Sequence, residues 1–177
     1  MALTKTPVCD FGKKAEDFKL KSIENKIISL NDVKGEKATL IMFICNHCPY
    51  VKAIIRDLAK DCNELKKDGI NSVAIMSNDT KNYPEDSFDN MIKFAKANDF
   101  GEINYLIDET QEIAKKYGAV CTPDFFGYNK DLKLQYRGRF RELKDLKPVS
   151  GGDSDLKVAM KMISKTQAGP KEQTPSM

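Results

Sequence analysis

The chain has 177 residues, of which 41% are hydrophobic and 31% charged, and a formal net charge of +3. This length fits one domain that buries roughly 70% of its unfolded surface, and the small, mixed charge argues against binding to nucleic acid or an anionic membrane. No apolar run approaches the roughly 18 residues of a membrane span. Because the polar residues 1–16 lack the apolar core of a signal peptide, we expect a cytoplasmic protein.

The hydrophobic pattern predicts alternating strands and helices over the first two thirds of the chain. A short hairpin is predicted over residues 15–34. The nearly unbroken apolar run at 38–44 is typical of a central parallel strand, and apolar residues then recur on one helical face from 51 to 65, ending near Gly69. The elements predicted next are a strand at 72–76, a helix at 88–95, a strand at 104–107 and a helix at 109–117.

The last third changes pattern. Two strands joined by a turn are predicted at 124–128 and 132–137, then a loop at 140–152 and a helix at 156–163. Residues 1–165 therefore read as one α/β domain around a mixed sheet. Residues 166–177 form a C-terminal tail that we expect to be poorly ordered or laid along the surface.

Cys45 and Cys48 stand where the predicted buried strand ends and the amphipathic helix begins. Unpaired N–H groups and the positive end of a helix favour a thiolate at this place. Disulfide exchange needs one exposed thiolate and a second thiol that resolves the mixed disulfide. We therefore expect Cys45 to face solvent as the nucleophile and Cys48 to lie one turn inside as the resolving thiol, with Pro49 in the first helical turn.

The alternative interpretation of this pair is a metal knuckle, which usually needs two further cysteine or histidine ligands. His47 is the one histidine of the chain, no second CxxC is present, and Cys121 would supply only a third ligand. The sequence therefore favours redox chemistry and predicts no metal and no cofactor. A protonated His47 beside the thiols would make the pair more oxidising; the alternative is a solvated loop histidine.

Four segments carry a family resemblance: residues 43–52 around the cysteine pair, then 83–87, 106–111 and 121–126. They resemble the peroxiredoxin-like, or redoxin, branch of the thioredoxin superfamily, the alkyl hydroperoxide reductase and thiol-specific antioxidant group. The resemblance implies a thioredoxin fold, with a central mixed β-sheet flanked by helices and an added N-terminal β-hairpin. It also implies a cis bond at Thr122-Pro123 beside the CxxC, with Thr122 binding the substrate chain through its backbone.

The leading functional prediction is thiol–disulfide exchange by Cys45 and Cys48, with His47 as a tuning residue and with Pro123 beside the pair, as the resemblance implies. Its partners would be a protein disulfide or dithiol substrate and a thiol electron donor, and the oligomeric state stays open. The first alternative is a thiol-dependent peroxidase. With Cys48 at the end of the peroxiredoxin signature Pro-x-x-x-Thr-x-x-Cys, Cys45 and Ile41 replace the threonine and the proline, so the peroxide-orienting hydroxyl is missing. The second alternative is a metal-handling module on the same fold.

Three other features of the sequence are singled out. Cys121 lies two residues before the cis-proline that the resemblance implies, and two interpretations stay open: a third redox thiol, or a half-buried strand thiol that packs like a small hydrophobe. Cys62 lies on the apolar helix face and is predicted to belong to the core. An alternating arginine run is expected to form a solvated basic edge: Arg137, Arg139 and Arg141.

Overall fold

Seven strands form the central sheet of the computed structural model, which describes residues 4–177. In chain order they are β1 (Lys19–Ser22), β2 (Ile27–Ser29), β3 (Ala38–Phe43), β4 (Ile70–Met76), β5 (Asn104–Ile107), β6 (Asp124–Asn129) and β7 (Leu134–Tyr136). The order across the sheet is β2-β1-β5-β4-β3-β6-β7. Strands β3, β4 and β5 are parallel, and the other pairings are antiparallel. The structure thus confirms the mixed sheet and the added N-terminal hairpin.

Helices cover both faces of this sheet. They are α1 (Leu30–Val33), α2 (Pro49–Leu65), α3 (Phe88–Ala97), α4 (Glu112–Tyr117) and α5 (Asp155–Thr166), with short 3-10 turns at Lys66–Asp68 and Pro84–Asp86. Helices α2, α3 and α5 pack on one face, and α1 and α4 pack on the other. Within the described residues, the longest helix has 17 residues, and none combines the length and apolarity that crossing a bilayer requires.

Strand β3 explains the nearly unbroken apolar run of the sequence. All six of its residues are buried. Leu40 and Met42 belong to the core under α2, whereas Ile41 and Phe43 belong to the core under α4, as the two-residue period of a strand requires. A central strand with helices on both faces has no side that contacts solvent. Ile44, the residue after Phe43, is also buried.

One region of the last third differs from the sequence-based expectation, and the structure adds detail to a second. The predicted loop 140–152 contains a two-stranded hairpin, β8 (Leu143–Lys144) with β9 (Lys147–Pro148). The predicted tail is held in place near its end: Ser176 is 3% exposed, and its backbone exchanges hydrogen bonds with Thr6. Its hydroxyl also donates to the Pro123 carbonyl at 2.7 Å. These partners lie more than 50 residues away in the chain, so the polar composition of the tail could not reveal them.

Candidate active site

Two parallel strands and one antiparallel strand bring the predicted site residues together. The carboxyl ends of β3 and β4 meet at one edge of the sheet, so Cys45 follows one strand and Ser77 the other. Strand β6 runs antiparallel beside β3 with Phe43 opposite Asp124. The residues just before β6 therefore lie next to the CxxC segment, and the Thr122-Pro123 peptide bond there is cis.

The exposures of the two thiols are the reverse of those expected. Cys45 is 1% exposed, whereas Cys48 is partly exposed. The cause is where α2 begins: Cys48 is the N-cap residue with an extended backbone, and Pro49 occupies the first helical position. The helix thus starts after the second cysteine, which leaves Cys45 at the buried end of β3. The prediction that Cys45 faces solvent is wrong.

The electrostatic surroundings of the thiols also differ. The neighbouring Cys45 thiol lowers the pKa of Cys48 to about 5; burial opposes this shift, while the N–H groups of Val51 and Tyr50 and the Thr122 side chain support it. The contact with Cys48, together with burial, raises the pKa of Cys45. These directions agree with the helix geometry, because the N–H groups of a first helical turn stabilise an anion at the N-cap. Cys48 is the thiol poised as a thiolate at neutral pH.

Thr122 contacts both sulfurs. Its carbonyl oxygen lies 3.3 Å from the Sγ of Cys48 and accepts a hydrogen bond from this thiol when the thiol is protonated, and its Oγ1 lies 3.4 Å from the Sγ of Cys45. Pro123 lies directly behind, and its carbonyl accepts the hydroxyl of Ser176 and the thiol of Cys121, the latter at 3.5 Å. The structure therefore gathers all the predicted site residues in one place, with Cys121 at the rim.

His47 is held by a carboxylate that sequence reasoning missed. Its Nδ1 lies 2.6 Å from Oδ2 of Asp86, whose side chain is fully buried. Asp86 also accepts hydrogen bonds from the backbone N–H of Asn46 at 2.7 Å and from the Nδ2 of Asn78 at 2.8 Å. The imidazole ring stacks on Tyr83, with centroids 4.9 Å apart. His47 is therefore a fixed member of a buried network, which excludes the alternative of a freely solvated loop histidine.

Asn46 fixes the rest of the CxxC segment. Its Oδ1 accepts the hydroxyl proton of the buried Tyr105 at 2.8 Å, and its Nδ2 donates to the carbonyl of Glu85 at 3.1 Å. The 3-10 turn at Pro84–Asp86 thus supports the segment from below. The sequence analysis singled out residues 83–87 as one of the segments that carry the family resemblance. Their spacing along the chain does not show that they contact the CxxC segment.

A buried ion pair lies beneath the cis-proline. Arg137 donates to both carboxylate oxygens of Asp124, at 3.3 and 2.9 Å, and to the Gly118 carbonyl. The side chains of Arg137 and Asp124 are 8% and 0% exposed. The guanidinium also lies over the ring of Phe126, 4.4 Å from its centroid. The expected solvated basic edge is therefore wrong for Arg137, because its side chain is buried against Asp124 and Phe126. Arg139 makes a surface ion pair with Asp155.

A cleft of about 870 Å³ opens over the two cysteines. Its wall combines the site residues with apolar side chains, including Phe43, Tyr50, Tyr83 and Val120, and with Cys121. This volume lies within the usual range of 300–1,000 Å³ for ligand sites. Of the two cysteines that line this cleft, Cys48 is the more exposed residue.

One group of side chains in residues 4–177 has the composition of a metal site. The ligand atoms of Cys45, His47 and Asp86 all lie within 4.8 Å of one another. Both oxygens of Asp86 already accept hydrogen bonds from amide groups or from His47. A metal ion would have to displace these donors and deprotonate a buried thiol, so the arrangement fits a hydrogen-bonded network better than a coordination shell.

Comparison with known proteins identifies the family of the chain. A profile of the AhpC/TSA family matches residues 11–137. The chain belongs to the AhpC/TSA family. This membership supports a redox function on a thioredoxin fold, and oxidoreductase activity in general. A comparison with curated proteins found no match.

Solved structures extend the similarity over nearly the whole chain. An uncharacterized conserved protein from Geobacillus kaustophilus is 38% identical, with a TM-score of 0.93 over 99% of this chain and 93% of that one. A hypothetical protein from Sinorhizobium meliloti 1021 is 35% identical, with a TM-score of 0.90 over 99% and 95%. The thioredoxin domain of a thiol-disulfide oxidoreductase from Bacteroides vulgatus is 18% identical, with a TM-score of 0.60 over 72% and 86%, which shows the shared fold alone.

Proposed function

We propose that this AhpC/TSA-family protein is a thiol–disulfide oxidoreductase that uses Cys45 and Cys48 as its redox pair. The observation that carries the proposal is the position of Cys48, a partly exposed N-cap thiol with a pKa lowered to about 5, in a cleft that also contains Cys45. The thiolate is the attacking species in disulfide exchange. At neutral pH this site therefore holds a ready nucleophile with a second thiol behind it.

The order of attack follows from exposure. The Cys48 thiolate attacks one sulfur of a substrate disulfide, forms a mixed disulfide, and releases the other substrate sulfur as a thiolate. Cys45 then loses its proton and attacks Sγ of Cys48, the Cys45–Cys48 bond forms, and the second substrate sulfur leaves as a thiolate. Two electrons pass from the protein to the substrate. A thiol electron donor, or a dithiol substrate in the reverse direction, returns the pair to the reduced state.

The substrate class is a polypeptide disulfide or dithiol. The cleft is lined by apolar side chains around the cysteines, and Tyr83 and Val120 remain 41% and 46% exposed at its rim. The Thr122 backbone precedes strand β6 beside the cysteines, which supports a role as the segment on which an extended substrate chain pairs. Cytoplasmic location remains a prediction from the sequence.

Trapping of the mixed disulfide tests both the function and the order of attack. Cys45→Ser should accumulate a mixed disulfide with a model polypeptide disulfide, visible by mass spectrometry, because the resolving thiol is missing. Cys48→Ser should not react, and Cys9→Ser serves as the matched control, since that thiol lies outside the cleft and its pKa is raised, mainly by burial, to about 11. Trapping by Cys48→Ser instead would reverse the order of attack, and trapping by neither variant would refute the function.

Peroxide reduction is a second candidate function. The family match and the lowered pKa of Cys48 favour it, because a peroxidatic cysteine also reacts as a thiolate. Against it, Cys45 stands where the peroxiredoxin signature carries its threonine hydroxyl. Peroxide consumption with a thioredoxin regenerating system decides: turnover that persists in Cys45→Ser and is lost in Cys48→Ser would establish the peroxidase, and no turnover would leave disulfide exchange alone.

A further inference from the structure

In the second step of the exchange, Cys45 must lose its proton. Cys45 is 1% exposed, and burial raises its pKa even after Cys48 has entered the mixed disulfide, so Cys45 still carries its proton when the resolving step begins. Only a thiolate attacks a disulfide. Because Cys45 presents almost no surface to the cleft, we expect a neighbouring group of the protein to take up the proton as Cys45 attacks.

Four titratable groups of the described part of the chain face Cys45. They are Cys48, Tyr105, His47 and Asp86. Cys48 is consumed in the mixed disulfide, and the Tyr105 hydroxyl already donates its proton to Asn46 at 2.8 Å. One ring nitrogen of His47, one carboxylate oxygen of Asp86 and Sγ of Cys45 all lie within 4.8 Å of one another. The His47–Asp86 pair is the remaining acceptor.

We propose that the His47–Asp86 pair takes up the Cys45 proton in the resolving step, an assignment that rests on the proposed disulfide exchange. The S–H bond of Cys45 breaks and its proton moves to the pair. At the same time the Cys45–Cys48 bond forms and the bond from Cys48 to the substrate sulfur breaks, with the electron pair leaving on the substrate thiolate. In the reverse direction the pair returns the proton to Cys45 as a general acid.

The network prepares the pair for this role. Asp86 has no exposed surface, and amide donors from Asn46 and Asn78 hold its carboxylate. Because a carboxylate only accepts hydrogen bonds, Nδ1 of a neutral His47 carries the proton that points to Asp86, and Nε2 keeps a free lone pair. Stacking on Tyr83 fixes the ring plane. The His47 side chain is 26% exposed, so the pair can pass the proton on to solvent.

Reaction of the reduced protein with dithiodipyridine separates the two steps. The first thiopyridone released reports attack by Cys48 and depends on reagent concentration; the second reports attack by Cys45 and does not. We expect Asp86→Asn and His47→Ala to slow the second phase by about 100-fold, the lower end of general acid–base effects. The first phase should change by no more than about threefold, since Cys48 is already a thiolate.

The control and the second readout exclude a merely structural effect. Asp79→Asn makes the same chemical change in the same loop, where the Asp79 side chain accepts hydrogen bonds from Lys81 and Asn82, and it should leave both phases unchanged. Added imidazole should restore the second phase of His47→Ala, and that phase should become proportional to hydroxide concentration in both variants. If Asp86→Asn does not fold, His47→Ala decides alone.

The outcomes distinguish the two proposals. A second phase that keeps its rate in folded His47→Ala overturns the role of the pair while disulfide exchange stands. A slowed second phase without imidazole rescue or hydroxide dependence also overturns it, because misplacement of Cys45 then explains the loss. The absence of a second phase in the unaltered protein refutes the proposed function itself.

Discussion

Replacing Arg137 with methionine should destabilise the protein by about 3–5 kcal/mol, the usual cost of removing one partner of a buried ion pair. Asp124 has no exposed surface, and Arg137 supplies two of its hydrogen bonds, at 3.3 and 2.9 Å. Because methionine retains most of the apolar stem of arginine, the loss of stability reports the removal of the charge and its hydrogen bonds. The Gly118 carbonyl also loses its donor.

Urea unfolding of the reduced protein measures this loss. The matched control is Arg139→Met, two residues away, whose ion pair with Asp155 lies at the surface, with side chains 29% and 47% exposed. Such surface pairs contribute about 0–1 kcal/mol. For a chain of this size, the Arg137 variant should melt roughly 6–20 °C lower than the unaltered protein. Equal losses in the two variants would refute the assignment of a buried, stability-determining pair.

The pH dependence provides an independent check. Burial raises the pKa of Asp124, while Arg137 opposes the rise, so removing Arg137 raises this pKa further. A carboxyl whose folded pKa exceeds its unfolded pKa binds more protons in the folded state between the two values, so stability falls as pH rises through that window. The deficit of the Arg137 variant relative to the unaltered protein should therefore shrink as pH falls from neutral. A deficit that does not change with pH would contradict an uncompensated carboxylate.

Three further predictions concern the cysteines. Iodoacetamide should label Cys48 first, with a half-maximal rate near pH 5, because burial raises the pKa values of Cys9, Cys62 and Cys121 to about 11, 12 and 12. His47→Ala should make the pair less oxidising by roughly 30 mV per unit of thiolate pKa, because the buried Asp86 charge then lacks its partner. Cys121→Ser should slow turnover if Cys121 exchanges with the pair, whose cleft it lines.

A specific result would contradict each of these three predictions. Fastest labelling of Cys45 or Cys121, or a labelling midpoint near the ordinary thiol value of about 8.5, would show that the helix end does not activate Cys48. Potentials of the His47 variant and the unaltered protein within about 10 mV would remove histidine from redox tuning. Peptide mapping that finds Cys45–Cys48 as the sole disulfide, with unchanged turnover in Cys121→Ser, would leave Cys121 a packing residue.

Local sequence patterns determined most of the architecture. An apolar run with no polar face predicted β3 as a central strand, and helical periodicity predicted α2 and the burial of Cys62, which is 3% exposed. These predictions succeed because burial repeats with the period of each element, so the pattern is visible along the chain. The same hydrophobic patterns predicted the position of the CxxC between strand and helix. The family resemblance implied the cis bond at Thr122-Pro123, which the structure contains.

Tertiary structure alone decided which thiol is accessible and which groups surround it. The helix begins after Cys48 and not before it, a difference of a few residues that no periodic pattern resolves. Asp86 reaches His47 from 39 residues away, and Arg137 turns inward to meet Asp124. Polar contacts of this kind depend on one or two atoms placed by the packing of separate elements, and they leave no repeating signal in the sequence.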